Sequence, residues 1–401
     1  MFPLERMDGL ERCICDYVKA RYFPRRAATV AFTEADVRFF APAVAEVSAA
    51  FTSERAGRAK NYFNRREFRS AYLLYFVLSN FPKAWQCLAQ LDVTGRFAGR
   101  NPVRVLDLGC GPGTGMLAAM EYWKAHAQEQ RLECLGVDQN GEILADARAL
   151  FGMRKTAFSR CETRTVAIGW KNLAQILRRE RFDIIMAMNL LNEFSDMGAR
   201  ERLVRSLLAY HLTPDGALIA IEPGLQRTTR ELMALRDTLL MERDVRIVAP
   251  CLHQDRCPML SHNKRDWCHF YLDWERPKII ADLDRLIGNK KEHLKFSYLV
   301  LTASESRNPS PQFRAGIGTS EHLFRVVSAP LRSKGKIELL LCPAEGNDTG
   351  RLHRVTRLDK ERGPANADLD RVWRGEIVEC HAKGQIARED HFRIVRSKCA
   401  L

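Results

Sequence analysis

No stretch of this 401-residue sequence holds the ~20 consecutive apolar residues that a membrane-spanning helix needs. The best run, at 71–78, is far shorter. The first thirty residues have no apolar signal core and mix bases with acids (Glu5, Asp8, Glu11, Asp16), so neither a secretory leader nor a transit segment is expected. No internal repeat is present. Hydrophobic residues at 46% and charged residues at 28% exclude disordered and collagen-like chains. What remains is a soluble, intracellular globular protein without membrane contact, long enough for two or three domains and a sizeable core.

The net charge is +14, and it is unevenly placed. Residues 1–100 carry +6, residues 101–250 only +1, and residues 251–401 the remaining +7. A balanced middle suits a small-molecule site, and basic flanks suit a polyanion such as RNA. Aromatic residues interleave the bases in Arg21-Tyr22-Phe23-Pro24-Arg25-Arg26 and Lys60-Asn61-Tyr62-Phe63-Asn64-Arg65-Arg66. That mixture can hold phosphates and stack on unpaired bases, which favours nucleic-acid contact over the alternative of ordinary solvated charge.

The pattern divides the chain into a helical segment at 1–98, an α/β segment at 99–345 and a basic extension with short strands at 346–401. Helices are expected at 35–48, 66–78 and 84–91, with a break at Asn80 and Pro82. From Val103, short β-rich runs alternate with helical ones. Strands are expected at Val103–Leu108, Leu132–Asp138, 163–168, Phe182–Met188 and 217–222. Helices lie between them, which argues for a doubly wound, mostly parallel sheet. Further strands are expected at 296–302 and 336–342, separated by an irregular Ser/Pro/Gly-rich segment at 304–319, and β-like pieces at 352–358 and 374–378.

The first strand runs into Asp107-Leu-Gly109-Cys-Gly111-Pro-Gly113-Thr-Gly115. Glycines there permit a sharp turn and close approach of a ligand to backbone N–H groups at a helix start. The Gly-x-Gly-x-x-Gly spacing of dinucleotide binders is missing. Asp107 can accept a hydrogen bond from a cationic amino-acid headgroup, and Asp138, at the end of the second strand, is placed to hold ribose hydroxyls. Together these features resemble the S-adenosylmethionine site of class I methyltransferases. The Asn/Asp-Pro-Pro-aromatic tetrad of amino-group methyltransferases is replaced by Asn189-Leu-Leu-Asn192-Glu193-Phe194, whose polar residues read equally well as strand-end caps.

Twelve cysteines without a secretory context do not point to disulfides. Eight are scattered, several in apolar runs. Four differ: Cys251 and Cys257 in a Pro-flanked loop, Cys268 in Asp266-Trp-Cys-His-Phe270, and Cys342 before Pro343. Four thiolates can hold Zn²⁺ or a [4Fe–4S] cluster. A Cys-x-x-Cys knuckle is lacking, so a zinc ribbon fits poorly, while His253, His262 and His269 leave mixed Cys/His zinc ligation open.

The glycine turn, the Cys-rich block, Phe-Ser-Tyr-Leu-Val-Leu at 296–301 and the strand ending in Cys342 occur in the order found in one family. The sequence resembles, over about 30–380, the methyltransferase-like proteins of mitochondrial small-ribosomal-subunit assembly and their bacterial relatives. The resemblance implies a class I methyltransferase-like fold with an N-terminal helical domain and a Cys-rich cluster insertion at about 246–275. It implies S-adenosylmethionine at Asp107, Gly109, Gly111, Gly113 and Asp138, and a structural [4Fe–4S] cluster on Cys251, Cys257, Cys268 and Cys342. It also implies binding to small-subunit rRNA and the small ribosomal subunit. Arg256, Lys264, Arg265, Lys290, Lys291 and Lys295 are then expected to face phosphates. The expected protein is a monomer in a bacterial-type cytoplasm, with the mitochondrial matrix as the alternative. Competing functions are an active RNA methyltransferase and a zinc-stabilised protein or small-molecule methyltransferase.

Overall fold

A computed structural model describes residues 2–24, 32–52, 62–91, 93–303, 320–345 and 348–395. Arg25, Arg26, Lys60, Asn61 and the 304–319 segment lie outside the described residues. The chain forms two compact units. The first comprises Met1–Leu88, Phe97–Leu190 and Leu272–Leu294; the second comprises Ala89–Arg96, Leu191–Tyr271 and Lys295–Leu401.

The first unit holds β1 (Val103–Leu108), β2 (Leu132–Asp138), β3 (Ser159–Thr165) and β4 (Phe182–Met188). They are parallel in the order β3-β2-β1-β4. Helices Thr114–His126 and Gly141–Arg154 make the first crossovers. The winding therefore reverses between β1 and β4, and the glycine turn sits at that switch point, where open α/β sheets bind ligands. β1 and β4 are buried almost throughout, as strands covered on both faces must be. β3 begins earlier than the expected 163–168. It is an end strand of mixed polarity, Ser-Arg-Cys-Glu-Thr-Arg-Thr, so its apolar content does not mark its start.

The helices of 1–98 do not stand apart from this sheet. Tyr17 donates a 2.6 Å hydrogen bond to Asp146 of helix Gly141–Arg154, and Tyr22 donates to the other oxygen of the same fully buried carboxylate. Tyr75 likewise donates to Asp284 of helix Lys278–Ile287. The break expected at Pro82 does not occur. Helix Arg66–Ala71 widens into a π-helical turn, Tyr72–Val77, and continues as Leu78–Gln90 with Pro82 inside it. Ser79 Oγ donates to the Tyr75 carbonyl at 2.8 Å, satisfying an acceptor in this irregular stretch.

The second unit contains β5 (Leu212–Pro223), β6 (Val245–Ala249), the start of β7 (Phe270–Asp273) and most of β8 (His293–Ala303). β8 runs antiparallel to both β5 and β6. A second sheet follows: β9 (Leu323–Val326), β10 (Leu331–Ser333), β11 (Lys336–Pro343), β12 (His353–Leu358), β13 (Ile377–Cys380), β14 (Gln385–Ile386) and β15 (Phe392–Ile394). Its order is β14-β12-β11-β9-β13-β15, with β10 beside β11. Phe324, Ile337, Leu339, Leu341, Val355, Val378 and Phe392 form its own core. The strand expected at 336–342 is β11 of this second sheet. Strict alternation of buried and half-buried residues along β11 marks an antiparallel strand packed on one face.

Candidate functional site

Two candidate sites emerge, one in each unit. At the first, Gly109, Gly111 and Gly113 have φ of 68°, 50° and 79°, a region that favours glycine. A Cβ on Gly109 would come within 2.7 Å of Leu190, and one on Gly113 within 2.9 Å of Met116. Above Gly111 the nearest group is Phe63, whose ring edge would stand 3.6 Å from such a Cβ. Phe63 is anchored by its backbone carbonyl, which accepts from Arg69 at 2.6 Å, and Asn64 Oδ1 accepts from Asn140 at 3.0 Å.

Both carboxylates of this site serve the turn. Asp107 is 1% exposed and accepts the Met116 N–H at 3.0 Å. Burial pushes its pKa up to about 7, against the opposing pull of the Met116 and Gly115 amides. Asp138 accepts from the Gly111 and Asn140 amides, both at 2.9 Å, and burial raises its pKa as well. The expected roles toward a headgroup and ribose thus begin from carboxylates already engaged with backbone. After β4, Asn189 adopts a positive φ of 56°. In the second unit, Asn192 donates to Glu222, and Glu222 also accepts the Leu191 N–H at 2.9 Å. These bonds are those of strand-end caps.

The second site gathers the four singled-out cysteines. Cys251 follows β6, Cys257 caps the short helix Pro258–His262, Cys268 precedes β7, and Cys342 lies in β11. Cys257 packs with Met233, Met259 and Val327, and Cys268 and Cys342 pack against that cluster. The sulfurs feel one another. Burial and then Cys251 push the Cys257 thiol up to about 12. Burial, with Cys251 and Cys257, lifts Cys268 to about 12. Burial, with Cys251, Cys257 and Cys268, holds Cys342 well above the usual thiol range.

Helix Gln226–Leu240 braces this loop. The Cys257 amide donates to Asp237 at 3.0 Å, and the Cys268 amide lies 3.5 Å from Met233 Sδ. Fully buried Arg236 donates to the carbonyls of His253 (3.0 Å) and Asp255 and to Asp237 (2.6 Å). Arg230 donates to the Asn263 and Asp266 carbonyls at 2.7 and 2.8 Å. His253 is fully buried with Nε2 3.5 Å from Cys342 Sγ, and its Nδ1 has no partner among the described residues. Burial, then Arg236, lowers its pKa to about 4, so the ring is neutral near pH 7. Arg325, opposite Cys342 in the β9–β11 register, and Arg374 both exert positive charge on Cys268. Arg374 Nε and Nη1 are buried without partners among the described residues.

Several residues expected to contact RNA are engaged in packing contacts. Tyr22 and Phe63 are buried at 5% and 7% exposure, so neither offers a free stacking face. Lys291 lies over Tyr75 and Phe76 at 4.2 and 4.8 Å, and Lys295 over Trp267 at 4.6 Å. Arg256, Lys264, Arg265 and Lys290 are exposed, as expected. No motif singles out Arg227, which with Arg230, Lys264, Met197, Gln226 and Glu231 lines a cavity of about 450 Å³.

A parallel α/β sheet with a glycine-rich strand-to-helix turn at its switch point defines the first unit as a nucleotide-type crevice fold. The family described as mitochondrial small ribosomal subunit Rsm22 matches residues 67–368, and the chain belongs to that family. Among its relatives are the Rsm22-cox11 tandem proteins 1 and 2, mitochondrial, of Schizosaccharomyces pombe. Each is 19% identical over 302 residues, covering 69% of this chain and 39% of its own length. The chain thus spans about two fifths of those relatives. Similar solved structures include a ribosomal protein L11 methylase from Lactobacillus delbrueckii subsp. bulgaricus. It has 15% identity and a TM-score of 0.30, covering 53% of this chain and 77% of that one. The plantazolicin methyltransferase BamL, solved with a triazolic desmethylPZN analog and SAH, has 13% identity and a TM-score of 0.35. That match covers 68% of this chain and 99% of that one. The strand pairing, and not these distant likenesses, defines the fold.

Proposed function

We propose that this chain is an rRNA-binding factor of the small ribosomal subunit, built on an S-adenosylmethionine-binding fold and stapled by a [4Fe–4S] cluster on Cys251, Cys257, Cys268 and Cys342. The carrying observation is the convergence of four thiols, buried Cys257 with half-buried Cys251, Cys268 and Cys342, from the 251–268 block and from β11. As free thiolates they would repel one another in a dry pocket, and an iron–thiolate centre removes that cost. Arg236, Arg325 and Arg374 surround the sulfurs and match the net negative charge such a centre carries. Among the described residues no three of these sulfurs lie within 4.8 Å of one another. A tetrahedral Zn²⁺ site, with Zn–S near 2.3 Å, would bring them to about 3.8 Å. No closed zinc tetrahedron is preformed among these sulfurs, and metal analysis distinguishes the two centres.

When bound, the cluster supplies structure: it joins the Cys-rich loop to the second sheet, so that metal loading and local folding are one event. S-adenosylmethionine fits the left-handed glycines and Asp138, and Phe63 covers Gly111 in this conformation. Phe63 thus stands at ordinary contact distance beside the turn and borders the place where a ligand would lie. Exposed Arg256, Lys264, Arg265 and Arg227 face solvent around the braced loop and suit phosphates. The family's description supports association with the small ribosomal subunit. The relatives are mitochondrial by name, which supports the matrix alternative; the bacterial-type cytoplasm finds no support among them.

The test is anaerobic purification of the full chain with iron, sulfide and zinc analysis, beside Cys342→Ser. Brown protein with iron and sulfide near four each, lost in Cys342→Ser together with association with the small subunit, bears the reading out. Colourless protein holding stoichiometric zinc overturns the cluster, and unchanged ribosome association in Cys342→Ser overturns its coupling to function.

A further inference from the structure

A second constellation of metal-ligating side chains lies on the outer face of the second sheet, and neither the thiol site nor the glycine turn uses it. Glu379 and His381 are two residues apart on β13 and its immediate extension, so both side chains leave the same face. The register Glu379↔Arg393 and Cys380↔Phe392 continues one residue further, where the His381 amide donates to the His391 carbonyl at 3.2 Å. His391 is therefore the direct cross-strand neighbour of His381. The intervening Val378, Cys380 and Phe392 turn inward and are buried, which fixes the three polar residues outward.

The three side chains converge. His381 Nε2 lies 3.2 Å from one Glu379 oxygen and His391 Nε2 3.5 Å from the other. One ligand atom from each residue falls within 4.8 Å of the other two. The His381 and His391 rings stand at 87°, with centroids 5.3 Å apart, so their nitrogens reach the shared carboxylate from different directions. His322 stacks on His381 at 4.0 Å and holds that ring from the β9 side.

We propose that Glu379, His381 and His391 bind a divalent transition-metal ion, with Zn²⁺ the favoured occupant. Two imidazole nitrogens and one carboxylate oxygen form a donor set suited to borderline ions and unsuited to Ca²⁺ or Mg²⁺, which take oxygen shells. Zn–N and Zn–O bonds of 2.0–2.2 Å place tetrahedral neighbours about 3.3–3.5 Å apart. The separations of 3.2 and 3.5 Å run to different Glu379 oxygens, so rotation of the carboxylate is needed to bring one oxygen to that edge from both nitrogens, and for a single oxygen the set already lies within 4.8 Å. Three protein ligands leave a fourth position for water or a partner's donor. An ion here ties β13 to β15, the last described strand. The site is independent of the thiol quartet and of the function proposed above.

Co²⁺ separates the two centres, because thiolate ligation gives intense sulfur-to-cobalt charge transfer and N/O ligation gives only weak visible bands. The full chain, with its thiol site loaded as purified, is titrated with Co²⁺ and then with Zn²⁺ as competitor. The expected result is one equivalent of N/O-type Co²⁺, displaced by Zn²⁺. His381→Ala and His391→Ala should each weaken binding by about a hundredfold or more, the upper end of what outer-shell changes alone cost. His322→Ala, which removes the stacking ring and no ligand, should retain the spectrum. All these residues are surface-placed, and circular dichroism checks the fold of each variant. An unchanged N/O-type spectrum in the His381→Ala/His391→Ala double variant overturns the assignment. So does wild-type protein that takes up no cobalt, or only thiolate-bound cobalt, which would leave Glu379 and the two histidines as an ordinary ion-pair cluster.

Discussion

His253 Nε2 lies 3.5 Å from Cys342 Sγ, a contact between residues 89 positions apart. It joins the loop after β6 to a strand of a different sheet, and it sets a buried neutral imidazole against one of four converging thiols. Hydrogen bonds to ligand sulfurs are among the levers that set cluster potentials.

His253→Leu should keep the iron content and lower the cluster's reduction potential. Loss of one weak hydrogen bond of about 1.4 kcal/mol corresponds to roughly 60 mV for one electron. Redox titration followed by electron paramagnetic resonance measures it, and an unchanged potential at full iron content refutes the contact's influence.

Phe63 covers Gly111, so trimming it should expose the turn. Phe63→Ala is expected to tighten S-adenosylmethionine binding by about tenfold, equal to 1.4 kcal/mol, at some cost in melting temperature. Gly111→Arg, at φ 50° and against the same ring, should abolish binding. Calorimetry on both variants decides. If small-subunit association survives Gly111→Arg, methyl transfer is not what recruits the protein.

Asp107 carries a pKa raised by burial to about 7 from a reference of 3.8. The folded state therefore holds this proton longer than the unfolded chain does. Its contribution is complete below pH 4 and fades as pH rises to about 7, with a slope of about 1.4 kcal/mol per pH unit. Asp107→Asn should flatten the stability profile in that window. Urea unfolding of both proteins at pH 4.5 and 7.5 gives the answer, and an equal drop in the two would remove Asp107 as its source.

Arg227 and Lys264 line the cavity beside the braced loop. If they contact phosphates, replacing both with Gln should weaken RNA binding at low salt and reduce the slope of log K against log[salt] by about two. Filter binding across a salt series checks this, and an unchanged slope would clear these two residues of phosphate contact.

What is legible in the sequence follows from local chemistry. Val103–Leu108 and Phe182–Met188 read as strands because buried parallel strands are continuously apolar. The glycine turn is legible because its left-handed residues exclude other side chains. The start of β3 is not, because an end strand of mixed polarity carries little apolar signal. Pro82 reads as a break because the sequence does not reveal the π-helical turn that precedes it.

The amino-acid order alone determined which groups were available: three glycines in a turn, two acids at strand ends, four cysteines in a polar setting. Tertiary structure decided what each faces. It brought Cys342 to the loop thiols from a second sheet, turned Asp107 onto helix amides, folded Tyr22 and Lys291 into the packing, and set His391 beside His381. Those outcomes depend on cross-strand register and on which face is buried, and both are set by partners distant along the chain.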